Sequence, residues 1–323
     1  MATVETAARL HFGFQNLSLA HERLYGSLGV ALAEPRLAVE ATPAAEVTAD
    51  DEAAREYARR ASEVLGVPGA TVSVRERLPR HVGLGSGTQL ALAVYAAVAR
   101  AHDADFDVRE AAPALGRGGR SGVGIAGFER GGFVVDAGHP TGRFTTDRPA
   151  DGEWDVPAVV SRHELPDDWR FVLAIPDADP GRSGEEEESS MRSVIERADP
   201  GIADQISGVV SRRLLPAAAE GRRSAFGDAV AEIGRLNGAW YADAQGGVFR
   251  PPVGTIVEEL TDCSAVAGAG QSSWGPTVYG VTDADGAGAA REAARDALGA
   301  AGVDGDVFVS RVRNEGASVR ERR

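Results

Sequence analysis

The segment Leu78 to Gln89, LPRHVGLGSGTQ, constrains this chain more than any other. It follows Thr71 to Arg77 (TVSVRER), whose alternation reads as a strand, and precedes Leu90 to Ala99 (LALAVYAAVA), ten apolar residues in a row. A run of that kind reads as a helix buried on all sides. It is about half the roughly 20 residues that a membrane span needs. Gly83, Gly85 and Gly87 permit a tight turn and let an anion approach the backbone. The N–H groups of Ser86, Gly87, Thr88 and Gln89 then stand at the positive end of the helix without intrahelical acceptors. Strand, glycine loop and helix N-terminus together predict an anion site. The hydroxyls of Ser86 and Thr88 are available to a ligand or a metal ion. An ordinary N-cap at Ser86 or Thr88 needs fewer glycines than these.

What such a site serves is limited by composition. The chain has no lysine, so its 34 basic residues are all arginine. A Walker A loop, a Schiff-base enzyme and a protein kinase each require a lysine and are excluded. Leu84 and Thr88 stand where a nucleophile elbow around Ser86 would need glycine. Gly122, Gly124 and Gly127 form a G-x-G-x-x-G, but it follows GRGGRS rather than a strand, and a strand is expected after it. The dinucleotide context is absent. Against 34 arginines stand 48 acidic residues, a net charge of −14, which suits neither nucleic acid nor an anionic surface. Dense carboxylates without lysine are expected of a salt-adapted cytoplasm, where screening shortens to about 3 Å at 1 M. A GC-rich genome writing arginine for lysine gives the same composition. No basic and apolar leader is visible, and the single Cys263 forms no internal disulfide, so a cytoplasmic protein without membrane contact is expected.

The 323 residues suggest two domains of about 150 residues each. Strands are predicted over 3–12, 28–33, 36–41 (the last two around a turn at Glu34-Pro35), 71–77, 132–136, 169–176 and 306–312. Helices are predicted over 50–65, 88–100, 108–115, 189–198, 202–220, 224–240, 253–262 and 287–301. Residues 116–132 contain eight glycines in seventeen positions. At about 1 kcal/mol per interior glycine, no regular helix is expected there. Residues 140–168 read as a loop or domain junction, and 266–280 as a glycine-rich passage ending in a strand. The mixture predicts an α+β fold in two layers.

Pro79 to Gly87 resembles the central phosphate-binding motif of the GHMP kinase superfamily. Ala267 to Gly280 (AGAGQSSWGPTVYG) is similar to that superfamily's late glycine motif. With RLHFGF (9–14), GRGGRSGVGIAGFERGGFVVDAGH (116–139) and GRSGEEE (181–187), the pattern resembles the β-ribofuranosylaminobenzene 5′-phosphate synthase family. The resemblance implies a two-domain GHMP-kinase-like fold. Its first part, 1–155, would be like ribosomal S5 domain 2 and bind phosphate. Its second, 156–323, would be a ferredoxin-like α/β sandwich. It further implies a transferase that condenses phosphoribosyl pyrophosphate with a 4-substituted benzoate (4-hydroxybenzoate or 4-aminobenzoate), with loss of pyrophosphate and CO₂. Such a step lies on the route to methanopterin-type carriers. Mg²⁺ is the expected cofactor, and a homodimer is compatible with the family. The alternatives are an ATP-dependent small-molecule kinase of the same fold, and a phosphometabolite-binding protein without catalysis. The middle glycine segment has no Asp, which weakens the kinase reading.

The substrates are anionic and the chain is acidic, so arginines near the glycine turns must reverse the field locally. Arg80, Arg117 and Arg120, with Ser121 beside them, are the candidates, since a guanidinium binds phosphate or carboxylate bidentately. Gly83, Gly85, Ser86, Gly87, Thr88 and Gln89 supply the loop, and His81 is a further phosphate contact or a packed loop residue. In the late motif Gly268, Gly270, Gln271, Ser272 and Ser273 are candidates for phosphate or carboxylate, with Trp274 as core or cleft wall. Asp136 and His139 of VDAGH are the candidate catalytic pair. The alternative is a turn with Asp136 as a local cap and His139 exposed. Ser86 and Glu187 are the candidate metal ligands; a solvated acidic face is the alternative for Glu187. His11 lies in the first strand, which borders the cleft in the family; core packing is its alternative.

Overall fold

A computed structural model describes residues 1–143, 152–178 and 185–321, with the backbone alone at 143 and 185–189. The chain begins with β1 (Ala2–Asn16), β2 (Arg23–Pro43), β3 (Thr48–Ala49), α1 (Glu52–Leu65) and β4 (Ala70–Glu76). Next come α2 (Ser86–Ala101), α3 (Val108–Ala111), α4 (Val123–Arg130), β5 (Phe133–Asp136), β6 (His139–Pro140) and β7 (Val159–His163). The second part holds β8 (Trp169–Pro176), α5 (Glu185–Ile195), α6 (Pro200–Val209), α7 (Leu215–Ala219), α8 (Arg223–Gln245) and α9 (Val253–Asp262). It closes with β9 (Gly268–Gln271), β10 (Val278–Asp283), α10 (Ala287–Ala300), β11 (Gly305–Arg311) and β12 (Ser318–Glu321).

The first sheet runs β12-β1-β2-β4-β3, with β5 paired to β2 and β7 to β5. Residues 28–33 and 36–41 belong to one strand of 21 residues rather than two. The strand runs on through Pro35 across a register shift between Ala7 and Arg9, where the Ser310 hydroxyl accepts from the Ala33 and Glu34 N–H groups at 3.1 and 2.9 Å. The second sheet runs β11-β8-β10-β9, all antiparallel, which is the ferredoxin-like order. Strands β7 and β12 lie in the first sheet, so the division expected at residue 155 leaves two of its strands in the second part. Strand β7 also occupies part of the stretch expected to be loop.

One core serves both sheets. Along β8, Phe171, Leu173 and Ile175 join the larger cluster, while Val172 and Ala174 face a second cluster supplied by α9 and α10. That two-sided burial explains why WRFVLAIP shows no polar alternation. Phe12 of β1 sits at the junction, with ring centroids 6.2 Å from Phe171, 6.0 Å from Phe226 and 5.0 Å from Tyr279. Helix α2 is buried from Gln89 to Ala99, as its apolar sequence requires. Helix α1 starts at its N-cap Asp51, whose carboxylate accepts from the Ala54 N–H at 2.9 Å, and ends on left-handed Gly66.

The glycine content of 116–132 does not prevent a helix: α4 spans Val123–Arg130. It is nearly all buried, and its glycines are points of contact. A Cβ on Gly124 would stand 3.2 Å from Thr88 Cγ2 on α2, and one on Gly127 would meet Ala31 of β2 at 3.4 Å. Close packing offsets the propensity cost of about 1 kcal/mol per glycine. The G-x-G-x-x-G itself lies in this helix, with Gly122 as its N-cap; β5 follows it as expected, and no strand leads into it.

Candidate active site

Helix α2 opens directly onto a cleft of about 530 Å³. Its N-cap, Gly85, has φ 79°, and no side chain caps the helix. The helical ladder begins with Gln89 N–H donating to Gly85 at 3.0 Å, and Ser86, Gly87 and Thr88 line the cleft ahead of it. The three loop glycines have separate reasons. Gly83 (φ 89°) lies against the late glycine turn, where a Cβ would overlap the Ser272 carbonyl oxygen. A Cβ on Gly85 would meet the Arg9 side chain at 3.0–3.2 Å, and one on Gly87 the Arg117 guanidinium at 3.2–3.4 Å. The loop thus makes room for two arginines at a helix N-terminus. Arg9 donates to the Gly83 carbonyl at 2.6 Å, and Arg117 lies over the Tyr57 ring at 5.3 Å.

Two more arginines line the cleft. Arg77 and Arg80 both pair with Asp51, the cap of α1. Burial opposes ionisation of Asp51, but the Ala54 N–H and the two guanidiniums outweigh it and hold the carboxyl below its ordinary value. His81, exposed and left-handed at φ 59°, lies on the same wall.

The late turn is bonded to this loop. The Ser272 hydroxyl accepts from the His11 N–H at 3.1 Å and donates to the Gly83 carbonyl at 2.8 Å. Thr277 N–H donates to Val82, and Ser273 N–H to His11. Ser273 and Trp274 are thereby placed on the cleft wall, and they also line a second, smaller cavity of about 40 Å³. This nook is aromatic and uncharged: among the described residues lining it are His11, Phe14, Asn237, Tyr241 and Phe249, and none carries a formal charge beyond what His11 could acquire. Tyr241 and Trp274 stack obliquely with centroids 4.7 Å apart. His11 is 4% exposed, and its ring meets Phe14 edge-on at 4.8 Å. Its burial, and secondarily the Arg9 charge, push its pKa down to about 3, so the imidazole is neutral at physiological pH.

Several expected site residues have other work. Asp136 is fully buried, and its carboxylate accepts from the N–H groups of Ser27, Gly122 and Gly138 at 3.0, 2.8 and 2.9 Å. Burial raises its pKa against the pull of those donors. It is a backbone clamp rather than a catalytic group. His139 is 2% exposed, faces Tyr25 edge-on at 6.3 Å and approaches the Gly118 carbonyl, so it is neither exposed nor in the cleft. Gln89 accepts from the Thr6 hydroxyl at 2.6 Å and donates to the Gly124 carbonyl at 2.8 Å, tying β1, α2 and α4 together. Ser272 is a stitch between loops. Gly268 and Gly270 allow β9 to touch α8 and Tyr279: a Cβ on Gly268 would overlap the Gly227 carbonyl oxygen, and one on Gly270 would lie 2.8 Å from the Tyr279 hydroxyl. Gln271 borders the nook, with its amide on Arg250 N–H and the Ser273 carbonyl. Arg120 and Ser121 line neither cavity. The Glu187 side chain and the Gly181–Gly184 part of its motif lie outside the described residues. Arg9, Arg77, Asp51, Tyr57 and Tyr241 were missed as site residues. The signals available were that Arg9 opens the RLHFGF segment and that Arg77 is the last residue of the alternating strand before the loop.

The two-sheet body with its glycine-opened helix has the GHMP kinase fold. Residues 51–132 match the family described as GHMP kinases N terminal domain, and 214–300 the family described as GHMP kinases C terminal. Homoserine kinase from Cytophaga hutchinsonii has the same fold, with a TM-score of 0.63 at 16% identity, covering 99% of this chain and 97% of the other. Mevalonate pyrophosphate decarboxylase from Streptococcus pyogenes superposes with a TM-score of 0.67 at 12% identity over 97% of each chain. The β-ribofuranosylphenol 5′-phosphate synthase of Methanothermobacter thermautotrophicus is 35% identical over 87% of this chain and 88% of its own. That of Archaeoglobus fulgidus is 32% identical over 99% of each. The chain belongs to the family of these synthases, on the GHMP kinase fold. Among the described residues no helix is long and apolar enough to cross a membrane.

Proposed function

We propose that the chain transfers a phosphoribosyl group from phosphoribosyl pyrophosphate to a 4-substituted benzoate, releasing pyrophosphate and CO₂. The observation that carries this reading is the meeting of two unlike cavities at Ser273 and Trp274: an arginine-lined cleft on a helix N-terminus, and an uncharged aromatic nook. A substrate with phosphates suits the first, and an aromatic ring suits the second. The names of the related synthases favour a phenol product, hence 4-hydroxybenzoate, on the route to methanopterin-type carriers.

The C1–O bond of the ribosyl donor breaks and its electron pair leaves with pyrophosphate. The ring carbon bearing the carboxylate bonds to C1. The C–CO₂ bond then breaks, and its pair restores the aromatic ring. The group lost is CO₂ rather than a proton, so the balance calls for no general base, consistent with the burial of Asp136 and His139. The N–H groups at Ser86–Thr88, with Arg9 and Arg117, would receive the charge growing on pyrophosphate, a kind of preorganised stabilisation worth about 3 kcal/mol per donor. Holding the ring against C1 supplies the proximity term, about 7–11 kcal/mol at best.

Mg²⁺ fits here as a companion of the pyrophosphate. No group of three or more His, Cys, Asp or Glu side chains able to hold a metal occurs among the described residues. Mg²⁺ commonly relies on substrate phosphates and water. The Ser86 and Thr88 hydroxyls are the side chains that would hold it, and when bound it would neutralise pyrophosphate charge.

Incubation with phosphoribosyl pyrophosphate, Mg²⁺ and 4-hydroxybenzoate should release CO₂ and pyrophosphate in equal amounts. ATP consumption with a small alcohol, without CO₂, would replace this reading with a kinase. Binding without turnover of either kind would replace it with a carrier.

A further inference from the structure

We propose that the arginine cleft holds two anion subsites: Arg77 and Arg80 bind the 5′-phosphate of the ribosyl donor, and the α2 helix end binds its pyrophosphate. The proposal rests on the ribosyl-transfer reading and assigns which end of the donor lies where.

The four arginines of the cleft fall into two groups, and α1 measures the distance between them. Arg77 and Arg80 converge on the carboxylate of Asp51, the N-cap of that helix. Arg117 lies over the ring of Tyr57, further along the same helix, and its guanidinium fills the space beside Gly87 at the start of α2. Arg9 stands beside Gly85 of the same loop. From residue 51 to residue 57 an α-helix rises about 9 Å. One phosphate does not reach both groups across that span, whereas a pentose with a phosphoryl group at each end does. The cleft, at about 530 Å³, is within the roughly 300–1,000 Å³ of a small-ligand site. In a chain of net charge −14, no acidic side chain lines it among the described residues.

The two groups suit different tasks. Pyrophosphate leaves, so charge grows on it during the reaction, and fixed donors act most strongly there. The N–H groups at Ser86–Thr88, with Arg9 and Arg117, are donors of that kind. The 5′-phosphate keeps its charge throughout, so it needs only to be held in place. Arg77 and Arg80 are each about half exposed, and each gives one N–H to Asp51. Arg77 also approaches Asp50 at 3.8 Å. A guanidinium has five N–H donors. The carboxylates therefore fix where the two cations stand and leave most of their donors to a ligand.

The test is calorimetric binding to the full chain. One probe is 1,4-anhydroribitol 5-phosphate, a ribose 5-phosphate without the C1 oxygen; the other is pyrophosphate with Mg²⁺. Arg80→Ala and Arg77→Ala should each weaken the sugar phosphate at least tenfold and leave pyrophosphate within twofold, which also shows that the variants are folded. Arg117→Ala should do the reverse. Wild type alone supplies a second readout: saturated with pyrophosphate, it should still bind the sugar phosphate within fivefold of its affinity for the free protein. Mutual exclusion of the two probes, sugar phosphate affinity that survives both Arg77→Ala and Arg80→Ala, or affinity that falls with Arg117→Ala instead, would each overturn the proposal. Turnover of phosphoribosyl pyrophosphate with 4-hydroxybenzoate is followed on the same preparation. Product formation alongside any of those failures would overturn this proposal alone. Absence of product would overturn the ribosyl-transfer reading, and this proposal with it.

Discussion

At Gly85 and Gly87 of the loop that opens α2, the places where side chains would stand are taken by the Arg9 side chain and the Arg117 guanidinium. At Gly268 of β9 and at Gly124 and Gly127 of α4, the same places are taken by the backbone of α8 and by methyl groups of α2 and β2. The first set of glycines brings charge to a surface that a ligand can reach. The second lets secondary structures touch. Both sets look alike in composition, and what separates them is whether the neighbour is a cationic side chain lining a cleft or a wall of the core.

The strongest way to break this contrast is Gly268→Ala. The new methyl would overlap the Gly227 carbonyl, so β9 and α8 must part, costing about 3 kcal/mol. A lower urea midpoint with unchanged turnover per folded molecule is expected; unchanged stability would mean the wall yields. Arg9→Ala tests the other side. Loss of a charged contact at about 1.5–3 kcal/mol should lower kcat/KM for phosphoribosyl pyrophosphate by roughly 10- to 100-fold with little change in urea midpoint. Arg120→Ala, outside the cleft, should leave that constant within twofold. A further effect concerns pH. His11 is neutral when folded, with a pKa of about 3 against 6.5 ordinarily, so the unfolded chain takes up its proton first. Its contribution to stability is full above pH 6.5 and declines as pH falls from there toward 3. His11→Phe should flatten that part of a stability–pH curve. Smallest of all, Gly288→Ala on α10, where nothing lies within 4 Å, should add about 0.5 kcal/mol to stability, read from the same urea curves.

The parts of the site written in local sequence were legible. The strand, loop and helix over 70–101 follow from alternation, glycine and an unbroken apolar run, and helix α1 follows from acidic residues before an amphipathic stretch, though not the place of Asp51 at the cleft. What depended on distant partners was not. Helix α4 exists because Thr88 and Ala31 accept its glycines, and no window of seventeen residues contains that fact. Asp136 reads as catalytic because it ends a strand beside a histidine; only the fold shows that three N–H groups surround it. Ser310 bonds to β2 beside Pro35 from 276 residues beyond Glu34. His11 was legible as a strand residue, but its neutrality comes from burial that the strand alone does not reveal.

The Ser272 stitch has a consequence in time. It joins His11 to a residue 261 positions later, and through Gly83 it fixes the loop between them. At about 5–20 residues per second, a ribosome needs roughly 10–50 s to supply the third party to that bond. Until then the Arg9 strand and the glycine loop are joined by the bonds of Arg9 to Leu84 and Gly83, without the late turn that braces them. Nascent chains stalled before Thr277 should therefore hold no phosphoribosyl pyrophosphate, however well β1, β2 and α2 have already packed. Substrate binding in this architecture is among the last events of its biogenesis.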